Sequence, residues 1–252
     1  MKKFINEHRP SKKEIYNFTD EKFGYYLAGL IDGDGHISTQ GQIIIVWNKL
    51  DTSAAYKLKT RLGFGKVSII ENKNAVNLIV SNKLGAIKVS ELIRNKLKHP
   101  AKIKQFNERL STKYFIPETS QETNIEWDTP WLAGFIDADG YLYIQLVRNK
   151  EVRLSVKIDQ KQDILLTQIM KKFGGHCYLR SSTNTYYYSS TSFEGIYKYI
   201  KYLDEYSLQN NRNYLRYHYL RKAYIMIQKD LHLTELGLEK IINYKKLLEI
   251  KI

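Results

Sequence analysis

Two short acidic clusters, Asp32-Gly33-Asp34-Gly35 and Asp137-Ala138-Asp139-Gly140, hold the residues of this chain best suited to chemistry. Carboxylates are hard oxygen donors, and several of them brought together with open positions for water and phosphate oxygens suit Mg²⁺. Taken singly, each Asp-Gly reads as a turn before glycine. Repetition reverses that reading. Leu27-Ala28-Gly29-Leu30-Ile31-Asp32-Gly33-Asp34-Gly35 and Leu132-Ala133-Gly134-Phe135-Ile136-Asp137-Ala138-Asp139-Gly140 agree at seven of nine positions and lie 105 residues apart. A spacing of that length indicates a duplicated domain rather than a solenoid repeat.

The element that positions each cluster is an apolar helix. Thr19 or Asp20 is the capping candidate for the first, and Asp128 or Thr129 with Pro130 for the second. Gly29 and Gly134 fall inside these helices, where a glycine costs about 1 kcal/mol relative to alanine. Two such glycines at equivalent places, beside Ala28 and Ala133, predict that the helices pack nearly backbone to backbone about a pseudo-twofold axis. The aspartates would then meet at the negative ends of two helix dipoles, a repulsion that a divalent cation relieves.

Each half reads as helix, two strands, helix, two strands, then one or two helices. Leu142, Ile144 and Leu146 alternate with polar residues, as do Val152, Leu154, Val156 and Ile158, the period of strands with one buried face. The run Ile43 to Val46 is apolar throughout and leaves its register open. An echo of the repeat at Tyr56–Gly63 and Thr167–Gly174 has an offset of 111, which places about six extra residues in a longer hairpin near Arg148. Residues 111–128 lack either periodicity. The organisation predicted is therefore a first half at residues 1–112, a linker at 113–128 and a second half at 129–252.

The 252 residues carry Lys+Arg 40 against Asp+Glu 26, a net charge of +14, so an anionic partner is expected. No apolar run is long enough to span a bilayer and the basic residues are spread along the chain, which favours nucleic acid over membrane. The single cysteine, Cys177, excludes an internal disulfide and a zinc cluster. No apolar segment follows the basic N-terminus, so no secretory signal is read and an intracellular location is expected. Lysine and tyrosine abundance suggests AT-rich coding, consistent with a mitochondrial or chloroplast origin. A calcium loop of the EF-hand type is excluded by His36 and Ile37, and by Tyr141 and Leu142, at its fifth and sixth positions. Gly63-Phe64-Gly65-Lys66 has the wrong spacing for a phosphate-binding P-loop.

The doubled nonapeptide resembles the signature of the LAGLIDADG homing endonucleases in their single-chain, two-motif form. The resemblance implies an α+β fold of two pseudo-twofold-related α-β-β-α-β-β-α halves, a saddle of antiparallel sheets with the motif helices packed at the centre. It implies a monomer that makes a double-strand break with short 3′ overhangs in a long asymmetric duplex target, by metal-dependent phosphodiester hydrolysis. Asp34 and Asp139 would bind the metal, with the carbonyls of Gly33 and Ala138 as further ligands and Asp32 and Asp137 in support. Two or three divalent ions are implied: Mg²⁺, with Mn²⁺ able to substitute and Ca²⁺ able to bind without supporting cleavage. An alternative on the same scaffold is an intron maturase acting on its own intron RNA, or a DNA-binding protein that does not cut.

By the same resemblance, Gln160 and Lys49, paired at the offset of 111, are candidates to order water near the scissile phosphates. Lys102 is the candidate charge partner of the first motif, with Lys104 as the alternative register. The second half has no lysine at the matching place and leaves Arg212 nearby. The other reading of these cations is ordinary surface charge of a basic protein, a reading that weighs more on Arg212 than on Lys102. Lys66, Ser68, Tyr143, Gln145, Arg148, Arg153, Ser155, Lys157, Tyr178 and Arg180 are the outward sheet residues expected to contact DNA, Arg and Gln reading base edges and Lys phosphates. His36 is expected to be structural or phosphate-facing, and Tyr186-Tyr187-Tyr188 to pack the sheet.

Overall fold

A computed structural model describes residues 4–147 and 151–249. The first motif helix, α1 (Asp20–Asp34), starts at Thr19, whose side chain accepts from Lys22 N. It runs directly into β1 (Gly35–Ile37), followed by β2 (Ile43–Asn48), α2 (Thr52–Leu62), β3 (Lys66–Ile70), β4 (Ala75–Val80) and α3 (Lys83–Ile93). α4 (Pro100–Gln105) continues through a wider π turn, Phe106–Ser111, into α5 (Thr112–Tyr114). The helix therefore runs past residue 111, because Phe106, Leu110 and Tyr114 are buried. The segment beyond Tyr114 is tied down: Asn95 N donates to Thr119 Oγ1 at 2.7 Å and Thr119 N to Asn107 Oδ1 at 2.8 Å.

The second motif helix is α6 (Trp131–Asp139). It leads to β5 (Gly140–Leu146), β6 (Val152–Gln160), α7 (Ile164–Phe173), β7 (His176–Arg180), β8 (Thr185–Ser190), α8 (Phe193–Glu205), α9 (Asn211–Gln228) and α10 (Glu235–Glu249). The chain packs as two units. One comprises residues 13–139 with 208–211; the other comprises 140–207 and 212–249 with the N-terminal segment, as far as these are described. α6 thus belongs with α1, against which it lies, and the packing units differ from the halves of the sequence repeat.

Each unit holds one four-stranded antiparallel sheet, ordered β1-β2-β4-β3 in the first and β5-β6-β8-β7 in the second. The apolar run in β2 resolves into buried Ile43, Ile45 and Trp47, with Ile44 and Val46 half-exposed on the opposite face. In the second sheet Leu142, Ile144, Leu154, Val156 and Ile158 line the core. Ile45 pairs with Gly35 and Leu78, while Ile158 pairs with Gly140 and Tyr188. These are matching places, so the offset after the hairpin is 113. Eight residues are inserted there rather than six, and two are given back by Gly174.

α6 is nine residues long, too short to be stable alone, and Trp131 through Asp137 are all buried. Each fully buried large apolar side chain contributes roughly 2 kcal/mol relative to exposure, so packing rather than propensity holds this helix. The closeness of that packing explains the glycines. A Cβ built on Gly29 would lie 1.9 Å from Trp131 O, and one on Gly134 would lie 2.0 Å from Tyr26 O.

Candidate metal centre and nucleic-acid interface

The motif helices end together. A Cβ on Gly33 would stand 2.4 Å from Ala138 Cβ and 2.8 Å from Asp139 Oδ2, so only glycine lets the second carboxylate sit against the end of the first helix. Neither helix has a basic residue in its last turn. Two carboxylates and two sets of C-terminal carbonyls thus concentrate negative charge. Asp34 has an exposed side chain, yet the protein packed around its carboxyl pushes its pKa up to about 6, against the pull of Lys102. The donors are hard oxygens, which suits Mg²⁺. Among the described residues no group of three or more His, Cys, Asp or Glu could hold a metal. A cation held by Asp34 and Asp139 would keep several sites for water and phosphate, as Mg²⁺ does.

Lys102 lies on α4 with its Nζ donating to Gly35 O at 2.5 Å, one residue past Asp34. Lys104, the alternative register, is exposed and pairs with Glu108 at 3.7 Å. Pro100 opens α4 and sets this helical phase, which turns Lys102 toward the motif and Lys104 toward solvent. His36 is exposed on β1, and burial with Arg109 and Lys102 nearby lowers its pKa, so it stays neutral and uncharged at physiological pH.

Asp32 and Asp137, unlike Asp34, are fully buried and serve as acceptors. Asp32 takes hydrogen bonds from Lys98 N at 2.7 Å, His99 N at 3.2 Å and Trp131 Nε1 at 2.8 Å. Asp137 takes them from Gln209 N at 2.6 Å, Asn210 N at 3.1 Å and Tyr26 Oη at 2.8 Å. Burial still pushes the Asp32 pKa up to about 7 despite these donors. The first aspartate of each motif therefore fixes the chain that enters the following helix. Nothing in the local sequence signals those partners, which are distant in the chain.

The pairing of Lys49 with Gln160 does not hold. Along the paired strands the offset is 113, which sets Gln160 against buried Trp47 and not against Lys49. Lys49 is exposed in the turn after β2, at the end of the sheet where α1 stops. Gln160 closes β6 opposite Tyr186. At the offset of 111 that relates Lys98 to Gln209, Asn213 stands where the first half has Lys102, and Arg212 is half-buried at the start of α9.

On the first sheet, Lys66 and Ser68 share the face opposite the core with His36, Ile44, Val46 and Asn77. The buried Asn77 Oδ1 has no hydrogen-bond partner and is a contact candidate that alternation in β3 alone did not reveal. On the second sheet, Tyr143, Gln145, Arg153 and Lys157 face away from the core with Tyr187. Lys157 Nζ stands 4.3 Å from the Tyr143 ring centre and 5.4 Å from that of Tyr187. Exposed Tyr178 lies beside Tyr187, and Arg180 pairs with Asp159 at 3.4 Å. The tyrosine run is divided: Tyr188 is buried and donates to Gly174 O, whereas Tyr187 is on the outer face. Arg148 lies outside the described residues.

Ser155 is not an outward contact residue in this structure. It is on the expected face but fully buried, and its hydroxyl has no partner. α10 packs against β5 on this side, where a cleft of about 430 Å³ is lined by Tyr143, Gln145 and Lys157 together with Lys245 and Leu248. Alternation in β6 gave the face correctly but could not foresee the cover. Ser155→Ala is expected to raise stability by about 1 kcal/mol in urea unfolding, since it removes an unsatisfied buried hydroxyl, and to leave duplex affinity unchanged. A loss of affinity would restore Ser155 to the contact set.

No helix among the described residues is long and apolar enough to cross a membrane. Residues 132–224 match the family model described as LAGLIDADG endonuclease. A Schizosaccharomyces pombe protein named for cox1 intron 2 is 41% identical over 248 residues, spanning 95% of this chain and 76% of the relative. The intron-encoded DNA endonuclease ai2b of Dictyostelium discoideum is 25% identical over 200 residues, 74% of this chain and 75% of its own. Among solved structures, the LAGLIDADG homing endonuclease I-GzeII in complex with its DNA target shares the fold, with a TM-score of 0.68 and 17% identity over 88% of this chain and 97% of that one. With both nonapeptides on helices that end side by side, two four-stranded antiparallel sheets, and a relative this similar over nearly the whole chain, the protein belongs to the LAGLIDADG endonuclease family.

Proposed function

We propose that this protein is an intron-encoded homing endonuclease that cuts both strands of a long asymmetric duplex site and leaves short 3′ overhangs. The observation that carries the reading is the placement of Asp34 and Asp139 at adjoining helix ends with both carboxylates intact. Asp34 and Asp139 would hold divalent metal, with the Gly33 and Ala138 carbonyls available beside them. When bound, the metal supplies Lewis acidity toward phosphate and lowers the pKa of a water molecule. Lys102, held against Gly35 O, places a positive charge beside the first aspartate and can balance charge that develops on the phosphate. The outward residues of the two sheets would bind the duplex, largely through phosphates, making affinity fall steeply with salt. Relatives named as intron products support an intron origin, and the cox1 name supports an organellar one.

Incubation with Mg²⁺ and duplex DNA from an uninterrupted copy of the host gene is the test. Linear product with short 3′ overhangs is expected, and Ca²⁺ in place of Mg²⁺ is expected to give a bound, uncut complex. Retention of intron RNA with no cutting of any duplex would move the reading to a maturase.

The metal has a separate signature in pH. A carboxyl with its pKa raised to about 6 is protonated below that value, and a proton competes with the cation for the same oxygens. Mg²⁺ is therefore expected to raise the melting temperature strongly at pH 8 and weakly at pH 5, the apparent affinity dropping about tenfold per unit below pH 6. Thermal unfolding across a Mg²⁺ series at both pH values checks this. An equal shift at the two would contradict it.

A further inference from the structure

We propose that Tyr26 and Trp131 are crossed positioning residues: each donates from its own motif helix to the aspartate that anchors the loop of the opposite half. This rests on the nuclease reading above. Tyr26 and Trp131 are 105 residues apart, the same offset that relates Asp32 to Asp137, so they occupy one position of the repeat. Tyr26 on α1 donates its hydroxyl to Asp137 Oδ2 of α6, and Trp131 on α6 donates Nε1–H to Asp32 Oδ2 of α1, both at 2.8 Å. The two side chains differ in shape and chemistry. What they share is an aromatic body, near-complete burial and one polar hydrogen at its tip. Two side chains of different size thus repeat one feature, a polar hydrogen directed at the aspartate of the opposite motif, which points to a donor at this position.

The helix crossing makes the exchange possible. The carbonyls of Tyr26 and Trp131 are the atoms that a Cβ on Gly134 or Gly29 would strike, so both residues sit where the backbones meet. From there each reaches the partner helix's buried aspartate. Asp32 in turn holds Lys98 N and His99 N, just ahead of Pro100 and the turn that carries Lys102 to Gly35 O. Asp137 holds Gln209 N and Asn210 N, at the entry to α9. Removing the Trp131 donor would loosen the loop beside the first catalytic aspartate, and removing the Tyr26 donor would loosen its counterpart. Each half's alignment then depends on a donor from the motif helix of the other, so losing one donor slows the cut made by the opposite half.

The test uses full-length Tyr26→Phe and Trp131→Phe proteins with a duplex labelled separately on each strand, under single-turnover conditions with Mg²⁺. Tyr26→Phe is expected to slow one strand about tenfold and Trp131→Phe the opposite strand about tenfold, so that nicked intermediates of opposite polarity accumulate. Amide hydrogen exchange on the same proteins is expected to quicken at Lys98 and His99 in Trp131→Phe, and at Gln209 and Asn210 in Tyr26→Phe. Equal slowing of both strands, or the same strand slowed in both variants, would overturn the proposal. If Trp131→Phe does not fold, Tyr26→Phe decides alone: a one-strand bias with faster exchange at Gln209 and Asn210 supports the crossed positioning and its absence refutes it. If the wild type cuts nothing, the nuclease reading fails, and the exchange pattern alone upholds or refutes the crossed latches.

Discussion

Asp34→Asn is expected to abolish double-strand cleavage while leaving duplex binding intact and raising stability in the absence of metal. Asparagine has the volume of aspartate but no charge with which to hold a divalent cation. Loss of the several kcal/mol that a metal supplies to the reaction, about 4 kcal/mol, corresponds to a rate reduced about a thousandfold. The gain in stability follows from the position of the residue. Asp34 stands at a helix C-terminus close to Asp139, in an environment that disfavours its charge, and the amide relieves both repulsions. Asp139→Asn should behave in the same way. Asp32→Asn should not, because an amide offers one acceptor oxygen to three donors and turns its own N–H groups into a buried space built for acceptance. Two aspartates two residues apart are thus expected to separate into a chemical and a structural role. Single-turnover cleavage, Ca²⁺-supported binding and thermal unfolding of the variants distinguish these outcomes.

Gly29→Ala is expected to destabilise the protein by about 3 kcal/mol or more, against the gain of about 1 kcal/mol that alanine brings to an ordinary helix interior. The added methyl would stand 1.9 Å from Trp131 O, and the atom it meets is backbone, which cannot rotate away. α6 would have to retreat from α1, opening space around Leu27, Ile31, Phe135 and Ile136, all of them buried. Gly134→Ala repeats the experiment from the other side, with Tyr26 O at 2.0 Å. Urea unfolding measures both. A midpoint shifted upward, as propensity alone would have it, would contradict backbone packing of the motif helices.

Much of this was legible in the residues themselves. Two glycines in an apolar helix pattern announced the close crossing, and the duplicated Asp-x-Asp-Gly announced where charge would collect. Alternation located the buried faces of β5 and β6. What escaped came from partners distant in the chain. The hydrogen bonds that occupy Asp32 and Asp137 arrive from backbone 66 to 73 residues away and from an aromatic tip on the other motif helix. Ser155 is buried beside Tyr143 on the face of the sheet where α10 packs against β5, a neighbour far away in the chain. The hairpin insertion is two residues longer than the repeat on the following helix implies, because strand register is set by the pairs Ile45–Gly35 and Ile158–Gly140. Lys102 is the candidate in the residues themselves with Lys104 as the alternative register, and the start of α4 at Pro100 sets the helical phase that separates the two.

On the proposed function, the adjoining ends of α1 and α6 form one metal-dependent centre that cuts both strands of a specific duplex. Selection of cleaved molecules from a randomised duplex library tests it most directly, with the wild type and the Asp34→Asn/Asp139→Asn double variant run side by side in Mg²⁺. The expected result is one long asymmetric site, cut on both strands with short 3′ overhangs by the wild type and not cut by the double variant. No enriched site in the wild-type selection, or equal cutting by the double variant, would contradict the claim.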